Sequence, residues 1–436
     1  MVTMEKLSVA MNGILVGTLS KTSSGAISFQ YHSTWLARAG SRAISLSMPL
    51  RQDPYHGDIP YNFFDNLLPD NEEIRSRIQS RFKATTKRPF DLLSKIGGDC
   101  VGAIQLYSPD VILEDVRQVH AEPLTDTRMA QVLRGYQSDA PLGMLEDMDD
   151  FRISIAGAQE KTGLLWYKNQ WHLPQGSTPT SHILKLPIGI LPHKNIDLSD
   201  SCENEWLCLK IAAAYGFSVN EANIVYVENI KALALKRFDR RWSQDGNWLM
   251  RLPQEDMCQA LGVAPALKYE SDGGPGISNI MQFLLGSRTS NHDREVFFKA
   301  QVLFWLLAAI DGHGKNFSLF LEPESRYSMT PLYDIISAYP LMDSKSIPKQ
   351  KAKMAMALIG TKKYYKWQTI QPRHFLSTAK AIGFSEQRAS ELMIEMKSQT
   401  PAVINTVRQQ LPKDFPNYIS ESIFNGVQKQ AERLPE

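Results

Sequence analysis

The sequence predicts a mixed fold, with an α/β N-terminal part followed by a mainly α-helical C-terminal lobe. Residues 7–14 alternate apolar and polar side chains up to an Asn12-Gly13 turn, which is typical of a β-hairpin. Strand-like runs recur between residues 150 and 238, and beyond Arg251 the spacing of apolar residues becomes helical. A chain of 436 residues exceeds the usual size of one hydrophobic core, so we expect several packed units.

Three domains are predicted along the chain. Residues 1–110 combine strands with a helix that Asp70 or Asn71 can cap, so we expect an N-terminal α/β subdomain. Residues 111–245 start with a turn-rich connection and then contain the strands FRISIAG, KTGLLWYK, HILKLPI and IKALALKRF, with the helix SCENEWLCLKIAAAYGF packed on their sheet. Residues 246–436 are expected to be mostly helical, and the nearly all-apolar DREVFFKAQVLFWLLAAI predicts a buried helix.

Composition narrows the class of protein. Hydrophobic residues make up 43% of the chain and charged residues 22%, which is ordinary for a folded globular protein. The four cysteines form no C-x-x-C pair, so the sequence suggests neither a zinc site nor a disulfide framework. The apolar run VLFWLLAAI is far shorter than the roughly 20 residues of a membrane span, so we expect a cytoplasmic protein that does not enter a membrane.

Positive charge is concentrated between Ser344 and Phe384. This segment holds nine lysine or arginine residues and no aspartate or glutamate. Such a segment either faces an anionic partner or forms a solvated surface whose counter-charges come from elsewhere in the fold.

The stretch AIDGHGKNFSLF, residues 309–320, carries the strongest chemical signal. Asp311 and Asn316 are five residues apart, which is the spacing of the aspartate and asparagine in the catalytic loop of protein kinases. Asp334 follows 18 residues after Asn316, where a kinase has its second metal-binding carboxylate. The alternative reading is an ordinary loop in which these polar groups cap turns or are solvated.

Weaker signals precede this stretch in the order found in a bilobal kinase. The small residues Ala156 to Ala158 form a turn that could cradle phosphate or be a plain hairpin turn. Lys185 lies within the apolar strand HILKLPI, either as a phosphate-contacting lysine or as a lysine that protects a sheet edge. Glu205 or Glu203 in the next helix could pair with it, and another strand ends at Lys236 to Phe238.

Longer motifs resemble the HipA family of toxin serine/threonine kinases. They are NFFDNLLPD, FRISIAGAQEKTGLL, HILKLPIG, RFDRRW, RLPQEDMCQALG, YESDGGPGI, DGHGKNFS and PLYDIISAYP. The resemblance spans nearly the whole chain. It implies a bacterial type II toxin with a bilobal kinase core related to the phosphatidylinositol-kinase-like fold, preceded by an extra N-terminal α/β subdomain.

The resemblance also implies roles for single residues. Asp311 would be the catalytic base, Asn316 and Asp334 would hold Mg²⁺, and Lys185 would contact the phosphates of ATP. The other residues expected at ATP are Ala156, Gly157, Ala158, Gln159, Glu160, Lys161, Lys236, Arg237, Phe238, His313, Gly314, Lys315 and Tyr333. Ser154 matches the family's autophosphorylated serine, whereas Lys236 stands where the family usually has an acidic residue.

Members of the family phosphorylate a serine of an aminoacyl-tRNA synthetase, the glutamyl enzyme, which halts translation and favours dormancy. A small helix-turn-helix antitoxin of the HipB type neutralises them, and the pair represses its own operon on DNA. We expect the same partners here, with Lys362, Lys363, Lys366 and Lys380 facing the operator DNA. Two alternatives are a small-molecule kinase and a non-catalytic corepressor that binds only antitoxin and DNA.

Overall fold

Local sequence signals set where most elements begin and end. The structure, a computed structural model, describes residues 4–111, 116–137, 161–191 and 196–436. Its strands are β1 (Glu5–Met11), β2 (Ile14–Lys21), β3 (Ile27–Tyr31), β4 (Tyr55–His56), β5 (Ile104–Tyr107), β6 (Ala121–Pro123), β7 (Lys161–Tyr167), β8 (Gln170–Pro174), β9 (His182–Lys185), β10 (Gly189–Leu191), β11 (Ile196–Leu198), β12 (Ala222–Val227), β13 (Ile230–Lys236), β14 (Arg240–Trp242), β15 (Leu249–Arg251), β16 (Gln254–Asp256), β17 (Ser318–Leu321), β18 (Tyr327–Met329), β19 (Lys353–Ile359) and β20 (Lys363–Lys366). Its helices are α1 (Ser33–Leu36), α2 (Asp58–Asp65), α3 (Glu72–Arg81), α4 (Pro89–Ile96), α5 (Asp126–Gln137), α6 (Ser201–Ala214), α7 (Met257–Ala260), α8 (Ile277–Phe283), α9 (Ser290–Leu306), α10 (Tyr339–Asp343), α11 (Pro372–Ala381), α12 (Glu386–Arg408) and α13 (Asn417–Ala431).

The chain packs as two units, each made of several segments. Unit 1 comprises Met1–Leu186, Val225–Ala266 and Ser318–Tyr327, and unit 2 comprises Pro187–Ile224, Leu267–Phe317 and Ser328–Glu436. None of the helices in the described ranges combines the length and the apolar character that a membrane crossing needs.

The first sheet of unit 1 begins with the predicted hairpin. Asn12 and Gly13 take positive φ angles of 46° and 76°, which a tight hairpin turn requires, and they join β1 to β2 as an antiparallel pair. The sheet has the strand order β4-β3-β2-β1-β5. Asn71 caps α3, because its side chain accepts the backbone N–H groups of Glu73 and Ile74. Both the hairpin and the cap confirm predictions from the sequence.

The second sheet of unit 1 carries the lysines predicted to contact nucleotide. Its strand order is β12-β13-β9-β7-β8-β6, and the pairs β7–β9 and β9–β13 are antiparallel. Helix α5 packs on this sheet, since Met129 and Leu133 share a buried apolar cluster with Leu164 and Leu184. The sequence analysis did not predict α5, and the helix that it did predict, α6, belongs to unit 2.

Unit 2 is built around α9. This helix is buried along most of its length, and Leu303 and Trp305 have no exposed surface, which confirms the predicted buried helix. Helices α11, α12 and α13 supply the helical C-terminal part that the sequence predicts. The structure adds one feature to this part that was not predicted, because β19 and β20 form an antiparallel hairpin inside the segment without acidic residues.

Candidate active site

The loop after α9 presents Asp311 to solvent. Beyond the end of α9, Ser337 Oγ donates to the carbonyl oxygen of Leu307 at 2.6 Å, which anchors the chain as it leaves the core. Gly312 follows Asp311, and a Cβ at this position would overlap the ring of Phe304, so only glycine lets the loop pass so close to α9. The loop is thereby held against the core while the Asp311 carboxylate stays exposed.

Tyr269 holds the Asp311 carboxylate. Its phenol donates a hydrogen bond to Asp311 Oδ1 at 2.7 Å. The ring of Tyr269 also lies edge-on to the imidazole of His313, with centroids 5.1 Å apart and planes at 82°. Because Oδ1 accepts from Tyr269, Oδ2 is the oxygen that remains for an incoming hydroxyl. The sequence analysis did not identify Tyr269 as a functional residue, although it opens the YESDGGPGI motif.

A short turn brings Asn316 beside Asp334. Residues Gly314–Asn316 form one turn of 3₁₀-helix, within which the His313 N–H donates to Asn316 Oδ1 at 3.0 Å. Asn316 Nδ2 donates to Asp334 Oδ2 at 3.0 Å. The structure therefore brings together two side chains that lie 18 residues apart in the sequence and that the family resemblance assigns to the same metal ion.

The backbone at Asp334 is strained. Asp334 takes φ 59°, the left-handed region that residues other than glycine seldom adopt, and the preceding Tyr333 donates its hydroxyl to the carbonyl oxygen of Lys315 at 2.7 Å. Such strain costs of order 1–3 kcal/mol and clusters at functional sites. The Tyr333 hydrogen bond ties this strained position to the turn that carries Asn316.

Asn316 and Asp334 carry oxygen atoms of the kind that Mg²⁺ binds, and in this structure the Nδ2 atom of Asn316 faces Asp334 while its Oδ1 atom accepts from His313. Mg²⁺ is usually held by one or two carboxylates together with water and substrate phosphates, rather than by a full cage of side chains. Across the described ranges, no group of three or more His, Cys, Asp or Glu side chains forms a cage for a metal ion. One carboxylate and one amide oxygen match the protein ligands of magnesium in protein kinases, and the expected binding of Mg²⁺ here stays a prediction.

Three lysines of unit 1 lie on adjacent strands. Lys161 on β7 is directly opposite Lys185 on β9. Lys185 is only 5% exposed, so it lies inside the sheet and is not a surface lysine at its edge. Lys236 ends β13 opposite His182 and is exposed. The expected contacts of these lysines with ATP stay predictions.

The side chain of Arg237 belongs to a buried ion cluster. Asp99, Arg237, Asp239, Arg240 and Arg251 form a buried ion cluster in which each side chain is at most 7% exposed. Arg237 donates to both carboxylate oxygens of Asp239, at 2.9 and 2.7 Å. Its guanidinium is therefore enclosed and supports the strand end from inside unit 1, and the expectation that residues 236–238 border the adenine stays a prediction.

Asp99 is the acceptor at the centre of this cluster. It accepts from Arg240 Nη2 at 2.8 Å and from Arg251 Nε at 3.0 Å, and the hydroxyl of Thr180 donates to it at 2.7 Å. Burial by itself would raise the pKa of Asp99, but the guanidinium groups of Arg240, Arg251 and Arg237 hold this pKa far below its usual range. The cluster thus keeps both of its carboxylates ionised in the interior of unit 1.

Several of the expected ligand contacts are not tested by the structure. Ser154 and the expected phosphate loop from Ala156 to Glu160 lie outside the described residues. Glu205 is buried on α6 of unit 2, and its expected pairing with Lys185 stays a prediction. The expected DNA contacts of the basic segment also stay predictions. The four lysines expected at DNA are exposed, with Lys363 and Lys366 on β20, Lys362 directly before it and Lys380 on α11.

Comparison with known proteins agrees with the resemblance seen in the sequence. The family model of the HipA N-terminal domain matches residues 7–107, and that of the HipA-like C-terminal domain matches residues 153–404. A candidate kinase, Y4mE of Sinorhizobium fredii, is 32% identical over 79% of this chain and 80% of its own length. The serine/threonine-protein kinase toxin HipA of Shewanella oneidensis is 28% identical over 76% of this chain and 75% of its own length.

A solved structure shows the same fold. HipA of Shewanella oneidensis MR-1, determined in a complex with HipB and its operator DNA, superposes with a TM-score of 0.79 at 20% sequence identity. The match covers 98% of this chain and 97% of that chain, and it confirms the kinase-like fold with an N-terminal α/β subdomain that the sequence predicts. The model of the HipA-like C-terminal domain alone matches more than half of the residues of this chain, so the chain belongs to the HipA family.

Proposed function

We propose that this protein is a serine/threonine kinase that transfers the γ-phosphoryl group of ATP to a hydroxyl group of another protein, and that it acts as a toxin. The observation that carries the proposal is the exposed Asp311 carboxylate, which lies on the same loop as Asn316. Tyr269 holds this carboxylate by a hydrogen bond to Oδ1. Membership of the HipA family, which includes a named serine/threonine-protein kinase toxin, supports it.

Each residue has a distinct task in the proposed reaction. Asp311 Oδ2 accepts a hydrogen bond from the acceptor hydroxyl and orients its oxygen for attack on the γ-phosphorus, while Tyr269 keeps the carboxylate from rotating. Asn316 and Asp334 would hold Mg²⁺, which supplies charge neutralisation at the phosphates. Lys185 would contact the phosphates of ATP. Positioning and electrostatics of this kind account for most of the catalysis in phosphoryl transfer.

The proposal extends to partners and regulation. The partners are a small helix-turn-helix antitoxin and, through it, operator DNA on which the pair represses its own operon; the solved HipA complex with HipB and operator DNA supports both. The protein substrate is an aminoacyl-tRNA synthetase, the glutamyl enzyme, whose phosphorylation inhibits growth and favours persistence. Autophosphorylation at Ser154 lowers activity. The protein acts in the cytoplasm, where ATP and the translation machinery are present.

Mass spectrometry separates this function from its two rivals. The protein is incubated with Mg²⁺, ATP and a bacterial lysate, and phosphorylated proteins and small molecules are identified with wild type and with Asp311→Asn. The proposal predicts phosphoserine or phosphothreonine that depends on Asp311. A small-molecule kinase would give phosphorylated metabolites instead, and a non-catalytic corepressor would give no difference between the two proteins.

A further inference from the structure

Two hydrogen bonds join the segment that carries Tyr269 to the loop that carries Asp311. The phenol of Tyr269 donates to Asp311 Oδ1 at 2.7 Å, and the N–H of Gly314 donates to the carbonyl oxygen of Lys268 at 3.1 Å. The first of these bonds orients the carboxylate, so the position of the Tyr269 ring matters for the proposed reaction. What holds Tyr269 itself in place is therefore part of the site.

The backbone after Tyr269 is folded into a tight turn. Residues Glu270–Asp272 form one turn of 3₁₀-helix, and the carbonyl oxygen of Tyr269 accepts the N–H groups of Asp272 and Gly274 at 3.0 and 2.9 Å. A Cβ at Gly274 would overlap the carbonyl oxygen of Leu267, so the turn closes too tightly for a side chain at this position. The Tyr269 ring is thus carried by a compact turn, and its position depends on what holds that turn.

Glu270 fastens this turn to β19. Glu270 Oε2 accepts the N–H of Ala357 at 2.6 Å, and Oε1 accepts Lys363 Nζ at 2.7 Å. The side chain of Glu270 is 11% exposed, whereas that of Lys363 is 62% exposed. An ion pair with so exposed a partner contributes little to stability. The hydrogen bond to the backbone of β19 is therefore the main fastening.

The same strand also holds the loop that carries Asp311. The N–H of Ala355 on β19 donates to the carbonyl oxygen of Ile310, the residue before Asp311, at 2.9 Å. Strand β19 is thus bonded to both sides of the Tyr269–Asp311 hydrogen bond, at residues two positions apart. Because a hydrogen bond weakens steeply when its geometry departs from the ideal, a common support of this kind protects it.

Gly276 leaves room for the Glu270 carboxylate. A Cβ at position 276 would overlap the carboxyl group of Glu270. The backbone at Gly276 has φ −103° and ψ −179°, an extended conformation that any residue adopts. Glycine is therefore needed at this position for space and not for its conformational freedom, and Gly276→Ala would displace the Glu270 carboxylate without straining the backbone.

We infer that Glu270 is a positioning residue for the phosphoryl transfer described under the proposed function, on which its role rests. Glu270 acts through Tyr269. Its carboxylate fixes the turn to β19, the turn keeps the Tyr269 phenol on Asp311 Oδ1, and Oδ2 then faces the acceptor hydroxyl. The effect of Glu270 on the reaction rate consequently depends on the presence of the Tyr269 hydroxyl.

A double-mutant cycle tests this dependence. Glu270→Ala removes the acceptor of the Ala357 N–H, and Gly276→Ala displaces it. Each change is made in the wild type and in Tyr269→Phe. The measured quantities are Tm, kcat and KM for ATP, with a purified lysate protein whose phosphorylation depends on Asp311 as the acceptor. The matched controls are Glu270→Gln, which keeps an oxygen for the Ala357 N–H, and Lys363→Gln, which removes only the exposed ion pair.

We expect Glu270→Ala and Gly276→Ala to lower kcat by about fivefold to tenfold, the scale of one charge-assisted hydrogen bond, with KM for ATP unchanged. In Tyr269→Phe, neither change should lower kcat further. Glu270→Gln and Lys363→Gln should stay within about twofold of wild type, because an exposed ion pair contributes little. If Glu270→Ala does not fold, Gly276→Ala provides the same comparison without removing a hydrogen-bonding group.

Two results would overturn the role of Glu270. The first is a loss of kcat that is as large in Tyr269→Phe as in the wild type, which would indicate a purely structural effect on unit 2. The second is an unchanged kcat in both folded alanine variants, or a loss in Glu270→Gln as large as in Glu270→Ala. The proposed function fails separately, if no phosphorylation of any lysate protein depends on Asp311.

Discussion

Neutralising Asp99 should strongly destabilise unit 1. Asp99 is buried and accepts hydrogen bonds from three arginines and from Thr180. Asp99→Asn keeps the size of the side chain but leaves three buried guanidinium groups with Asp239 as the one carboxylate of the cluster. Removing one partner of a buried ion pair typically costs about 3–5 kcal/mol, because the remaining charge stays desolvated.

This cost translates into a large change in thermal stability. For a folding unit of 150–250 residues, 1 kcal/mol corresponds to about 2–4 °C in Tm, so we expect Tm to fall by roughly 6–20 °C. The Tm of unit 1 is measured by thermal unfolding, with hydrogen exchange of the unit 1 strands as the readout. The matched control is Asp110→Asn, since Asp110 is exposed at the end of the same N-terminal segment. A Tm drop below about 3 °C for Asp99→Asn would refute the stated role of the cluster, given the scale above.

The same cluster predicts how stability depends on pH. The pKa values of Asp99 and Asp239 are both lowered in the folded state, despite burial, by the neighbouring arginines. The unfolded chain therefore binds protons at a higher pH than the folded one, close to the ordinary pKa of 3.8. The stabilisation is complete above that value and is lost as pH falls below it. Asp99→Asn should flatten this loss in acid-unfolding curves.

Three further predictions concern the active site and the partners. Tyr269→Phe should lower kcat by about tenfold, the scale of one charge-assisted hydrogen bond, with unchanged ATP affinity, and an unaltered kcat would contradict the positioning role. A phosphate on Ser154 adds roughly −1.5 to −2 charges at neutral pH, so autophosphorylated protein should bind ATP more weakly than Ser154→Ala, as measured by calorimetry. Reversing the three lysines within residues 362–366 to Glu should flatten the salt dependence of operator binding by the antitoxin complex by about one unit per lost phosphate contact. An unchanged slope would mean that these lysines form only a solvated surface.

Features that depend on neighbouring residues were predictable from the sequence. The Asn12-Gly13 hairpin, the Asn71 cap and the buried α9 each follow from a short pattern of residue types. The pairing of Asn316 with Asp334 was expected only because the kinase spacing and the family motifs place both residues at one metal ion. In each case the signal lies within a segment whose conformation is set by turn chemistry, capping or hydrophobic periodicity.

Features that depend on distant residues were not predictable in this way. The run KMAMALI of β19 is a short apolar stretch, which a helix and a buried strand can both contain, so the hairpin was missed. Tyr269 and Asp311 are 42 residues apart, and Asp99 and Arg251 are 152 apart. No short sequence pattern indicates that residues so far apart in the chain are in contact. For the same reason, the commitment of the Arg237 guanidinium to the buried cluster was not predicted.

Phosphoryl transfer by the Asp311→Asn protein tests the central claim most directly. Wild type and the variant are incubated with radiolabelled ATP, Mg²⁺ and dephosphorylated lysate, and incorporation into serine and threonine is measured alongside ATP affinity. The proposed role predicts that Asp311→Asn binds ATP as wild type does but loses about 100-fold or more in the rate of incorporation, the scale of a general base. Near-normal incorporation by a folded Asp311→Asn protein would contradict the assignment of Asp311 as the residue that orients the acceptor hydroxyl.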